Sequence, residues 1–371
     1  MANYPPAARG MLLGEIDTPA LVLELDAFER NLELLPAIVR GSGARVRPHA
    51  KSHKCVEIAR RQLRAGAVGI CCQKVSEAEV FVDGGIGDVL VTNEVVGRPK
   101  IRRLAELAHR ARIGVCVDDA GNVVELSAVA EATGVVLDTL VEINVGGNRC
   151  GVAPGEEAVQ LALAVRNAPG LRFAGLHAYY GTAQHMRAVA QRRAASQLSA
   201  AHARDTRDAL SRFGLPCETI TGGGTGTFFF DATSGVFNEL QPGSYVFMDA
   251  DYQRNEWQDA PRFEASLFVH SMVMSAAAPG HVVVDAGLKA LAVDSGLPLI
   301  RGGRGLSYAG ASDEHGVVTV ADGVAAPRLG ERLQLVPGHC DPTVNLYDHM
   351  IVARNGRVED IWPVAARGAL W

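Results

Sequence analysis

The chain has 371 residues, 48% of them hydrophobic and 21% charged, with a formal net charge of −5. That length admits two domains or one large barrel with an appendage, and the composition is that of a globular protein with a sizeable core. The mildly acidic balance excludes the basic field that nucleic acid or an anionic membrane surface would need in a partner.

From residue 20 onward, short β-branched runs alternate with amphipathic or alanine-rich stretches. Strands are predicted at Leu21–Leu25, Val46–Ala50, Gly69–Gln73, Asp88–Thr92, Ile113–Val117, Asp138–Asn144, Phe173–Tyr179 and Glu218–Thr221. Helices are predicted between them at Asp26–Arg40, Val56–Ala65, Arg98–Ala111, Asn122–Ala132 and Glu156–Asn167. Several open after Asp, Ser or Pro and close near Gly. Eight strands separated by helices predict parallel βαβ units, and eight is the number that closes a (β/α)₈ barrel over residues 20–250. A doubly wound sheet is the rival, but it calls for a Gly-rich turn after its first strand, where Glu24-Leu25-Asp26 stands.

After Gln241-Pro242-Gly243 the texture changes. Phe268–Met274, His281–Asp285, Gly316–Val320, Arg332–Val336 and Met350–Arg354 read as strands with Gly, Asp and Asn turns and no long helix. This predicts a mostly antiparallel β domain over residues 251–371, on which residues 1–19 are expected to pack. The seven cysteines are scattered without a CxxC pair, which suits reduced thiols in a cytoplasmic setting. Met1–Gly14 lacks a basic stretch followed by an apolar one, and no apolar run approaches the ~18 residues of a span, so no leader and no membrane partner are expected.

Only five of the 36 Lys and Arg residues are lysine, and three of them fall between Lys51 and Lys74. An arginine-biased genome explains the ratio; the position of Lys51 is more informative. It ends the run Val46-Arg47-Pro48-His49-Ala50-Lys51, where a strand gives way to a polar loop. Barrel enzymes keep reactive groups at such strand ends, and lysine is the side chain that forms a Schiff base. Position alone leaves Lys54 and Lys74 as competitors.

Other polar groups also fall at predicted strand ends. The run Gly222-Gly223-Gly224-Thr225-Gly226-Thr227 follows the eighth predicted strand; backbone N–H groups in such a loop can converge on a phosphate, although an isolated run of this kind is more often just a tight turn. It is not a Walker loop, because no Gly-Lys-Ser/Thr follows. His339 and Asp341 are two apart, so on an extended segment both project to one face and can reach one cation such as Mn²⁺, Mg²⁺ or Zn²⁺. A lone pair of this kind is commonly a solvated loop. His185, in a polar loop after the seventh predicted strand, suits a general base, against the bland alternative of a structural histidine. Arg149 can hold an anionic substrate group or simply face solvent, and Asp313-Glu314-His315-Gly316 reads first as a hairpin turn.

Taken together, RPHAKSHKC, CCQKVSEAE, TNEVVG, NVGGNRCGV, TGGGTGT, ELQPGSYVFMD, DAGLKAL, DEHG and HCDPTVNLYD resemble the D-threonine aldolase family, from about Asp17 to Gly368. That family is the metal-dependent branch of a group that includes D-serine dehydratase and the 3-hydroxyaspartate aldolases and dehydratases. The resemblance implies a pyridoxal 5'-phosphate (PLP) barrel like that of bacterial alanine racemase, followed by a β domain, in a homodimer. It implies Lys51 as the lysine that carries PLP. Thr221, Gly223, Gly224, Thr225 and Gly226 would hold its phosphate, with Gln73, Arg149 and Tyr179 lining cofactor and substrate. His339 and Asp341 would be the metal ligands and His185 the base beside them. Asp313 matches an active-site aspartate on a loop that faces the partner subunit in alanine racemase-like dimers. Tyr180 departs from a histidine at that place in a relative.

The implied reaction is cleavage of a D-3-hydroxy amino acid into glycine and an aldehyde. The alternatives are a D-3-hydroxy amino acid dehydratase, against which His339-x-Asp341 tells because dehydrating relatives tend to carry His-x-Cys, and a non-catalytic PLP carrier, which would be a barrel alone.

Overall fold

Two-sided burial decides where the strands go. The computed structural model describes residues 4–257 and 262–371. The strands are β1 (Ala20–Glu24), β2 (Arg45–Val46), β3 (Ile70–Cys72), β4 (Asp88–Glu94), β5 (Arg112–Val117), β6 (Leu137–Glu142), β7 (Leu171–Ala178), β8 (Thr219–Gly222) and β9 (Glu239–Leu240). Of these, β2 to β9 form one parallel sheet in the order β2-β9-β8-β7-β6-β5-β4-β3. A parallel bridge between His49 and Cys71 joins its two ends, so the sheet closes into a barrel. The helices α1 (Leu25–Val39), α2 (Val56–Arg64), α3 (Val75–Asp83), α4 (Arg98–Leu107), α5 (Ala120–Thr133), α6 (Glu156–Asn167) and α7 (Val189–Arg212) lie between strands in sequence, and short α8 (Phe228–Ala232) and α9 (Ala250–Gln253) follow.

One expectation is corrected. The strand at Leu21–Leu25 does not open the barrel. β1 pairs antiparallel with β10 (Leu267–Ser275) and parallel with β16 (His349–Arg354), in the second sheet. Its residues Ala20–Leu23 are buried on both faces, so its sequence reads like that of a barrel strand. The eighth barrel strand is instead β9, two residues long and too short to show a period. Each barrel position therefore shifts by one: Lys51 follows the first barrel strand, and the glycine run follows the seventh rather than the eighth.

The second sheet also holds β11 (His281–Val284), β12 (Leu299–Ile300), β13 (Leu306–Ala311), β14 (Gly316–Val320), β15 (Arg332–Val336) and β17 (Arg357–Pro363). Its order is β13-β14-β11-β10-β1-β16-β17, with β15 paired to β10 and β12. All of its pairs are antiparallel except β1 with β16. The N-terminal segment reaches it through the Gly10 N–H to Val358 O bond of 2.8 Å and a bridge between Leu12 and Arg357. Between β15 and β16 lies the one-turn helix α10 (Cys340–Val344). Among the described residues no helix is long and apolar enough to cross a membrane.

The two mouths of the barrel differ. At the N-terminal ends of the strands, Arg47 pairs with Asp88 at 2.6 Å and Glu239 at 2.9 Å, while Asp138 accepts Arg112 Nε and Arg172 Nε at 2.6 Å each. Acids and bases there pair with one another. The C-terminal ends carry the site.

Candidate active site

One cavity of about 690 Å³ at the C-terminal mouth gathers Lys51, Gln73, Arg149, Tyr179, His185, Gly224, Thr225, His339 and Asp341, together with His49, Thr92, His177, Gln241 and Tyr252. Nine residues singled out in the sequence thus share a wall. Thr221, Gly223 and Gly226 do not line it; Thr221 is buried below, its hydroxyl accepting Gln241 Nε2 at 2.8 Å. Asp313 is exposed on the loop between β13 and β14, away from this cavity.

The structure separates the lysines. Lys51 sits in the single turn Ala50–Ser52 and is the one lysine among the described residues that lines the cavity. Lys54 is buried and engaged, 3.3 Å from Glu77 and 2.9 Å from Asn345 Oδ1. Lys74 is exposed at the N-cap of α3.

Beneath Lys51, His49 accepts the Lys51 N–H at Nδ1 (3.4 Å) and lies 3.0 Å from Thr92 Oγ1 through Nε2. Burial, helped by the Lys51 charge, pushes His49 well below its ordinary 6.5, so it is neutral. Its Nε2 also lies 2.9 Å from the Gln73 amide nitrogen, so His49 ties Gln73 and Thr92 to the Lys51 turn.

His177 behaves in the opposite way. Burial disfavours its charge, but Glu142 at 3.0 Å from Nδ1 outweighs burial and raises its pKa. Its Nε2 meets Gln241 Oε1 at 3.2 Å, so both ring nitrogens face acceptors. Glu142 is in turn held low by His177 and by Arg149, 3.8 Å away, against its own burial. Glu94, beside Glu142 and Asp118, is pushed up to about 7, by burial first and then by those two charges. Arg149 lies over the Tyr179 ring at 5.4 Å, and Tyr179 stacks with His177 at 6.4 Å. Tyr180 packs against the Gly146–Gly147 backbone that carries Arg149.

The glycine run turns sharply after β8. Gly223 has φ +70°, and a Cβ on Gly224 would come within 2.6 Å of Gln184 Oε1. The Thr225 hydroxyl is buried without any hydrogen-bond partner, although it lines the cavity. A buried hydroxyl is seldom left unpaired unless a ligand completes it. A phosphate fits that vacancy in the bonding, and Lys51 in the same wall suits the aldehyde of PLP.

In the same cavity, His339 is extended and Asp341 stands in the first turn of α10. The two converge because His339 caps that turn, and the alternation of an extended segment plays no part. Asp294 takes the His339 Nδ1–H at 2.7 Å, which leaves Nε2 free, a carboxylate–histidine arrangement that orients a metal ligand. Asp341 Oδ1 accepts Ser244 Oγ at 3.4 Å. An imidazole nitrogen and a carboxylate on one cavity wall fit a divalent cation. Cys340 is fully buried, burial holds its thiol well above the ordinary 9.0, and it does not line the cavity.

His185 is held by Asp251, whose Oδ2 lies 2.5 Å from Nδ1, and its ring is tilted against Tyr252 at 5.3 Å. Asp251 also accepts Arg187, which with His185 keeps its carboxyl low despite burial. Asp251, Asp294, Glu142 and His177 were not singled out in the sequence. Asp251 and Asp294 stand 66 and 45 residues from the histidines they orient, with no local motif to mark them.

Comparison with known proteins finds relatives along the whole chain. The family model of the alanine racemase N-terminal domain matches residues 23–251, and that of a putative serine dehydratase domain matches 266–353. A D-threonine aldolase of Arthrobacter sp. is 50% identical, over 99% of this chain and 97% of its own. A 3-hydroxy-D-aspartate aldolase of Paracoccus denitrificans (strain Pd 1222) is 49% identical, over 98% and 95%. The crystal structure of D-threonine aldolase from Filomicrobium marinum covers all of both chains with a TM-score of 0.97 at 53% identity. The chain belongs to the D-threonine aldolase family, built on the alanine racemase-like barrel.

Proposed function

We propose that this protein is a PLP- and divalent-metal-dependent carbon–carbon lyase that splits D-3-hydroxy amino acids, D-threonine or 3-hydroxy-D-aspartate, into glycine and an aldehyde. One observation carries the reading: Lys51, the His339–Asp341 pair and His185 line a single cavity. PLP when bound supplies a sink for the electron pair released from the Cα–Cβ bond, and a Mn²⁺ or Mg²⁺ ion supplies a Lewis acid for the β-hydroxyl.

The chain's residues do the rest. Lys51 Nζ would hold the cofactor covalently through its aldehyde carbon. Gly224 and Thr225 would hold the phosphate, the Thr225 hydroxyl as a donor, and Gln73 and Tyr179 would line the ring. Thr221, Gly223 and Gly226 shape the loop from below. His339 Nε2 and an Asp341 oxygen offer the cation its ligands. His185 Nε2 takes the β-hydroxyl proton, while Asp251 keeps its Nδ1–H in place and balances the imidazolium that forms. Arg149 pairs the substrate carboxylate. An adjoining cavity of about 980 Å³, lined in part by Gly147, Gly181 and Thr182, shares Arg149, Tyr179 and His185 and gives the β-substituent room.

The reading includes a cytoplasmic homodimer in which Asp313 reaches the partner's site, since within one chain it stands outside the cavity. The test is product analysis with PLP, Mn²⁺ and each substrate. Glycine with acetaldehyde or glyoxylate is the expected result; a 2-oxo acid with ammonia would make it a dehydratase instead.

A further inference from the structure

Asp249 is fully buried, and its two oxygens serve two distant segments. Oδ1 accepts the Tyr252 N–H at 2.9 Å and caps α9. Oδ2 accepts the Cys340 N–H at 3.1 Å, at the first residue of α10. Two backbone bonds run alongside, from Ala250 N–H to Pro337 O at 2.9 Å and from Asp251 N–H to Gly338 O at 3.2 Å. What this carboxylate joins is specific: α9 carries Asp251, which orients His185, while α10 is capped by His339 and carries Asp341. An ordinary helix cap accounts for Oδ1, and a serine would serve there as well. It does not account for Oδ2.

We propose that Asp249 is a positioning residue that locks the base-bearing and cation-bearing segments into one register, so that His185 and a cation on His339 and Asp341 address the same substrate oxygen. This rests on the reading of His339 and Asp341 as metal ligands. Asp249 itself touches neither substrate nor cation; it acts through the Cys340 N–H on the turn that presents both ligands.

The experiment is Mn²⁺ binding to the PLP-loaded protein, followed by electron paramagnetic resonance of free Mn²⁺, in the wild type, Asp249→Ser and His339→Ala. Serine can still cap α9 but is too short to reach Cys340. Asp249→Ser is expected to keep its lysine-bound PLP absorbance, to bind Mn²⁺ about 10–100-fold more weakly, and to keep a lowered kcat even at saturating Mn²⁺. A folded Asp249→Ser protein with wild-type affinity overturns the proposal, provided His339→Ala has lost Mn²⁺. Wild-type affinity in His339→Ala overturns the metal-pair reading instead. If Asp249→Ser and Asp249→Asn both fail to fold, Asp249 belongs to the fold alone and the proposal is equally overturned.

Discussion

Asp251 Oδ2 lies 2.5 Å from His185 Nδ1, and this contact leaves Nε2 as the ring nitrogen free to accept a proton. The same carboxylate is pinned by Arg187, so it cannot swing away as His185 gains charge. Asp251→Asn keeps the shape but replaces one acceptor oxygen by a donor and removes the counter-charge. We expect kcat to fall roughly 10²–10⁴-fold with PLP binding unchanged. Steady-state kinetics beside the cofactor spectrum check it; a kcat within about twofold of wild type would remove His185 from the role of base.

Thr225→Val should separate binding from stability. The substitution nearly preserves shape and deletes a buried hydroxyl that has no hydrogen-bond partner within the chain. The apo form is expected to gain about 1 kcal/mol, because an unsatisfied buried group is removed. PLP affinity is expected to fall by about tenfold, since the phosphate loses a donor. Chemical denaturation and a PLP titration measure the two effects. Loss of stability without loss of affinity would contradict the assignment.

Lys51 and Lys54 are three residues apart in one loop and should fail differently. Lys51→Ala is expected to retain no PLP after borohydride reduction and denaturation, as read by mass spectrometry. Lys54→Ala strands the buried Glu77 carboxylate and should cost about 3 kcal/mol of stability, yet leave the covalent cofactor in place. Covalent PLP on Lys51→Ala would reassign the anchor.

Glu94 gives a pH signature. Its folded pKa of about 7 lies above the ordinary 4.5, so between those values the folded chain keeps a proton that the unfolded chain has lost. Stability from this group therefore falls as pH rises through that window. Glu94→Gln is neutral throughout, so its advantage over wild type should open between pH 5 and pH 8. Because Glu94 is partly in contact with water, on the order of 1 kcal/mol is expected. Melting temperatures at both pH values decide it, and a gap that stays constant would count against the raised pKa of Glu94.

The sequence showed the site in pieces, and physics explains which pieces. Reactive residues at strand ends, Lys51 and Gly224 among them, were legible because a βα repeat sends every strand end to one mouth. From position alone, which of Lys51, Lys54 and Lys74 faces the cavity was not, since each lies just beyond a strand end, where the local turn and no periodic pattern sets the side chain's direction. The partners that set charge, Asp251 for His185 and Asp294 for His339, come from segments with no periodic mark. β1 was misplaced because burial on both faces erases the difference between a strand of the barrel and the middle of another sheet.

That placement of β1 has a consequence for how the protein is made. β1 is synthesised before the whole barrel, yet its neighbours β10 and β16 lie beyond it, with Leu21 beside Val269 and Val22 beside Ile351. An apolar strand must wait unpaired on the ribosome while the barrel takes shape, exposed to any other chain that offers an edge. Slow emergence of the C-terminal strands, rather than closure of the barrel, then becomes the vulnerable interval in the protein's biogenesis.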